Sequence, residues 1–79
     1  MTKLLTNLKI NETGEFVSSE DYKNVQKRLA DLGLTPGTQI SLLKKGLLRG
    51  PVEILVKNSR LVLGRGVAEK ILVNVEDNE

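Results

Sequence analysis

Apolar residues follow two rhythms along the chain. Tyr22, Val25, Leu29 and Leu32 recur at steps of three, four and three, one stripe of an amphipathic helix. Ser18-x-x-Asp21 has the form of a capping box, and Glu20 and Asp21 suit the positive end of a helix dipole. Gly33 follows the last stripe position, where a left-handed cap needs a residue without Cβ; Leu34 can fold back on the stripe, and Pro36 stops the helix. The pattern predicts a helix over about residues 20–32. Pro36-Gly37 then fits the centre of a type II turn.

Beyond that turn the period changes to two. Thr38, Ile40 and Leu42 alternate with Gln39, Ser41 and Leu43, and Val52, Ile54 and Val56 with Glu53, Leu55 and Lys57. Asn58-Ser59 reads as the tight hairpin, and Arg60 to Leu63 as the returning strand. Gly64 to Lys70 has room for one helical turn before Ile71, Val73 and Val75 close the pattern. Near the start, Leu8 and Ile10 lead to Gly14 and a first strand at Glu15-Phe16-Val17, while Leu4 and Leu5 can cover a sheet edge. Five short strands with one main helix predict a mostly β domain, best protected by curling into a small barrel. An open sheet with the helix across one face is the alternative. The expected core is Val17, Leu29, Leu32, Ile40, Leu42, Val52, Ile54, Val56, Leu61, Leu63, Ile71 and Val73.

The chain's 79 residues fit one domain, with its folded part at about residues 8–75 and an acidic tail at 76–79. No Pro- or Ser-rich linker and no repeat divides it. Composition removes most enzymatic readings. There is no Cys, so no disulfide framework, zinc ribbon or thiol nucleophile; there is no His, the commonest metal ligand and general base near neutral pH. No apolar run approaches the roughly 20 residues that cross a bilayer, and the first residues lack a signal peptide's apolar core, so a cytoplasmic protein is expected.

The net charge of +2 conceals an asymmetry. Between Lys44 and Lys70 seven basic residues face only Glu53 and Glu69, whereas Glu76, Asp77 and Glu79 make the tail acidic. A basic face suits an acidic protein surface, an anionic headgroup layer or nucleic acid.

Arg28-Leu29-Ala30-Asp31-Leu32-Gly33-Leu34-Thr35-Pro36-Gly37-Thr38 resembles the signature of FeoA-type domains, in which Arg-Leu, Leu-Gly-Leu and Pro-Gly-Thr follow in that order. Pro51-Val52-Glu53-Ile54, Arg60-Leu61-Val62-Leu63, and Ala68, Ile71 and Val73 continue the likeness, which runs from about Leu8 to Val75. The resemblance implies a small five-stranded SH3-like β-barrel. It also implies an accessory protein of bacterial ferrous iron transport, working with a membrane transporter that carries a GTPase domain. With no helix-turn-helix ahead of the barrel, the chain matches the stand-alone form. Two departures stand out: Asn58-Ser59 replaces the usual glycine-bearing hairpin, and Gly64-Arg65-Gly66 loosens the last helical turn.

Gly64-Arg65-Gly66 is no dinucleotide fingerprint, because position 69 is Glu69 and no βαβ unit surrounds it. No Gly-Lys-Ser/Thr phosphate loop occurs, so any GTPase belongs to a partner. Ferrous iron favours imidazole and carboxylate ligands, which leaves Glu12, Glu15, Glu20 and Asp21, or Glu76, Asp77 and Glu79. These read better as helix-start, loop and tail acids, so no metal site, cofactor or catalytic residue is expected beyond weak, non-stoichiometric divalent-cation contact. Nucleic-acid binding through Lys44 to Arg65 is the rival function, but single-strand binders stack bases on aromatics, and only Phe16 and Tyr22 are present. The remaining candidate is Lys44-Lys45-Gly46-Leu47-Leu48-Arg49-Gly50. Two leucines among cations on a glycine-flanked loop form either a partner-docking patch (Lys44, Lys45, Leu47, Leu48, Arg49) or a plug for the barrel end.

Overall fold

A computed structural model describes residues 1–19 and 22–76. Its strands are β1 (Thr2–Leu4), β2 (Thr13–Ser19), β3 (Gln39–Lys45), β4 (Val52–Val56), β5 (Ser59–Leu63) and β6 (Ile71–Asn74). The helices are α1 (Tyr22–Asp31), between β2 and β3, and the single turn α2 (Arg65–Ala68), between β5 and β6. Leu5–Asn7 and Leu47–Arg49 form 3-10 turns.

The strands make one antiparallel sheet in the order β1-β6-β2-β3-β4-β5. Two expectations are corrected. The sheet has six strands rather than five, because Thr2–Leu4 pairs with β6 from Thr2↔Asn74 to Leu4↔Leu72. It is also open: among the described residues β1 and β5 stand at its two ends, so the expected closed SH3-like barrel is not the hydrogen-bonded arrangement.

The helix stop follows the predicted chemistry. Gly33 adopts φ 88°; its N–H donates to the Ala30 carbonyl at 2.9 Å, and the Leu34 N–H reaches Leu29 at 2.8 Å. These two bonds are a Schellman cap, and Leu34 folds back into the core. Gly37 at φ 90° and the Thr38 N–H to Thr35 carbonyl bond of 3.0 Å give the type II turn. The helix start differs. Ser18 belongs to β2, paired with Leu72, so it cannot be the N-cap; Glu20 and Asp21 lie outside the described residues.

Among the described residues fifteen buried ones form one core, including Leu5, Leu8, Phe16, Ala68 and Val75, which lie outside the expected set. Tyr22 and Val25 of the helical stripe lie outside the described side chains. Three expected members are displaced. Phe16 takes the inward position on β2, so strand alternation turns Val17 outward, 40% exposed. Leu32 lies past the end of α1, where Leu34 replaces it, and is 38% exposed. Leu61 is only partly buried, against the core edge. The β4–β5 hairpin is shifted by one residue: Val56 pairs with Ser59, and the turn is Lys57-Asn58 at φ 50° and 65°. Positive φ at both central residues is the type I′ geometry that matches strand twist.

Candidate functional site

The segment from Lys44 to Pro51 joins β3 to β4 at one end of the sheet. Strand alternation from Ile40 and Leu42 points Lys44 inward. A bulge between Leu42 and Lys44 resets the pattern, so Lys44 pairs with Glu53 and Lys45 with Val52. Directly paired residues share a face, so the two lysines leave opposite sides of the sheet end, both exposed.

The loop beyond them has a fixed shape. The Gly46 N–H donates to the Pro51 carbonyl at 2.9 Å, and the Gly50 N–H to the Leu47 carbonyl at 2.9 Å. A Cβ on Gly46 would lie 2.7 Å from the Pro51 oxygen, so the close crossing of the two loop ends requires glycine there. Leu48 and Arg49 are turned to φ 52° and 60°, a conformation that side chains with a Cβ adopt at a cost. The result is an outward knuckle. Leu47 is 90% exposed and Leu48 100%. The plug alternative is thereby excluded.

Arg49 holds the knuckle to the neighbouring helical turn. Its guanidinium is hydrogen-bonded to Glu69 Oε1, and Arg65 Nε lies 3.7 Å from the same oxygen. Sequence reasoning missed this link, since nothing local joins positions twenty residues apart.

The structure distributes the other candidates differently. Glu12 closes the Lys9–Glu12 loop: Oε1 accepts the Lys9 N–H at 2.8 Å, and Lys3 Nζ lies 3.3 Å from Oε2. The Lys9 backbone bond holds the Glu12 carboxyl below its ordinary value; desolvation opposes this, and Lys3 adds to it. Glu12, Glu15 and Glu76 line one open groove of about 420 Å³ with Gln39 and Asn74. Among the described residues, however, no three carboxylates converge as a metal ion requires. Glu20, Asp21, Asp77 and Glu79 lie outside the described residues.

The basic segment is not one face. Lys57 sits in the hairpin turn, a five-residue strand of roughly 17 Å from Lys45. Arg60 lies 3.9 Å from Glu53, and Arg49 and Arg65 share Glu69. Phe16 is buried and offers no platform to a base. Among the described residues, no helix is long and apolar enough to cross a membrane.

A search of curated protein sequences gives no match. Solved structures do. A crystal structure of an iron uptake regulatory protein (FeoA) is 30% identical with a TM-score of 0.78, over 92% of this chain and 94% of that one. The solution structure of the FeoA protein from Chlorobium tepidum is also 30% identical, at a TM-score of 0.83, over 98% of this chain and 73% of that one. A manganese-dependent transcriptional repressor superposes at 0.82 with 17% identity, over 95% of this chain and 42% of its own, a likeness of fold alone. The FeoA domain profile matches residues 3–75, and the chain belongs to the FeoA domain family.

Proposed function

We propose that this chain is a small accessory protein of ferrous iron transport that acts by contact, without catalysis or a resident cofactor. Membership of the FeoA domain family over residues 3–75 carries the reading, supported by the 30% identity to an iron uptake regulatory protein. The partner is the cytoplasmic region of a membrane ferrous-iron transporter with a GTPase domain, which places the chain in the cytoplasm. The docking surface is the knuckle: Leu47 and Leu48 as apolar anchors, with Lys44, Lys45 and Arg49 as the steering rim.

The nucleic-acid alternative is weaker, because the strand length between Lys45 and Lys57 and the carboxylates at Arg49, Arg60 and Arg65 break up the basic run. The test is calorimetric titration of the transporter's soluble cytoplasmic region with this protein, beside a nuclease-treated pull-down from extract. Leu48→Asp is expected to weaken the transporter contact about tenfold, near 1.4 kcal/mol. Capture that vanishes on nuclease treatment, with no heat from the transporter fragment, overturns the proposal.

A further inference from the structure

Leu48 has all of its surface in water, and Leu47 nearly all, yet both belong to a loop closed by two backbone hydrogen bonds and fixed by a crossing at Gly46. A leucine held at positive φ so that it faces solvent is costly twice, once in backbone and once in hydration. The knuckle protrudes, and the exposed Lys44 and Lys45 flank it on opposite sides of the sheet end, while Arg49 is paired with Glu69.

Protruding aliphatic side chains with an exposed lysine on either side match a fluid, anionic, layered partner. Such a partner needs no complementary pocket: acyl chains receive the leucines while headgroups meet the lysines.

We infer that the Leu47-Leu48 knuckle is a membrane-surface anchor that inserts into the headgroup–acyl boundary of an anionic bilayer. This deepens the transport reading and rests on it for placing the chain beside a membrane. Leu47 and Leu48 enter lipid while the domain rests on the bilayer, in competition with the transporter contact proposed above. Two lysines and two leucines make a reversible anchor, well short of a permanent one.

The test uses vesicles of phosphatidylglycerol and phosphatidylcholine without any transporter. The chain has no Trp, so Leu48→Trp places a single indole at the knuckle. Its emission is expected to shift to the blue with anionic vesicles and not with phosphatidylcholine alone. Leu48→Gly keeps the positive φ and removes the anchor; it is expected to lower vesicle partitioning at least tenfold while the unfolding midpoint does not fall. Raising salt is expected to weaken binding steeply. Failure of the natural sequence to bind anionic vesicles, or binding unchanged by Leu48→Gly, overturns the anchor. If the transporter fragment still binds in that case, the accessory reading survives with Leu48 assigned to protein. If vesicles bind and the fragment does not, the anchor stands and the transporter contact falls.

Discussion

Arg49 on the knuckle and Glu69 at the end of α2 form an ion pair that ties an otherwise protruding loop to the body of the domain. Arg49 is 76% exposed there, so solvent screens the pair and its contribution to global stability is under about 1 kcal/mol. Its effect is local. Glu69→Gln is expected to leave the unfolding midpoint within a few degrees and to speed hydrogen exchange at the Gly50 amide. Unchanged exchange there would show that the two backbone bonds alone fix the loop.

Leu48→Asp is expected to change stability by no more than about 0.5 kcal/mol, as for a surface position without packing. Leu48→Gly is expected to raise it, by up to about 1 kcal/mol, because glycine meets no Cβ penalty at φ 52°. Urea titration of the three proteins checks both signs, and a large loss in either variant would return Leu48 to the core.

Gly14 leaves less room for a Cβ than any other glycine of the chain. A Cβ there would lie 2.4 Å from Val73 Cγ1 and 2.7 Å from the Asn74 carbonyl oxygen, and the second is backbone that cannot rotate away. Gly14→Ala is expected to destabilise by about 1–3 kcal/mol. In a domain of this size that lowers the thermal midpoint by about 4–8 °C for each kcal/mol.

Ile54 is completely buried in the middle of β4, between β3 and β5. Ile54→Ala removes packing from the whole width of the core and is expected to cost about 2–5 kcal/mol, measured by denaturant unfolding.

Glu12 sets a pH dependence whose sign is fixed. Its folded-state carboxyl lies below the ordinary 4.5, so the charged form is favoured in the fold. The stability it adds is complete above the unfolded value and is lost as pH falls through the folded one. The midpoint difference between the natural protein and Glu12→Gln is therefore expected to be present at about pH 7 and to shrink toward about pH 3. A difference that grows on acidification would place the stabilising contact elsewhere.

What was legible in the sequence was punctuation and period. Gly33, Pro36 and Gly37 announce their own backbone angles, and Ile40, Leu42, Val52, Ile54 and Val56 alternate cleanly enough to give two central strands and their inward faces. Val17 escaped because Glu15-Phe16-Val17 is too short a run to fix which of two neighbouring apolar residues faces inward, and Phe16 takes that place. Thr2–Leu4 is too short to show a period, and its partner lies at the far end of the chain. The hairpin was misplaced because Lys57 holds a positive φ that a lysine does not advertise. At the site, the composition of the loop was plain, but its exposure depends on the Gly46–Pro51 crossing, which is a contact rather than a pattern.

The position of β6 between β1 and β2 governs how this domain comes into being. Its strand is the last in chain order, yet it completes two ladders, one from Thr2↔Asn74 and one from Glu15↔Asn74. Helix α1 and the β3–β4–β5 meander can form from neighbouring residues as soon as they are made. β1 and β2 must wait with unsatisfied edges until the final strand leaves the ribosome, several seconds later at about 5–20 residues per second. Long-range closure of that kind slows folding, and it leaves β1 and β2 as the strands most in need of protection until β6 has been made.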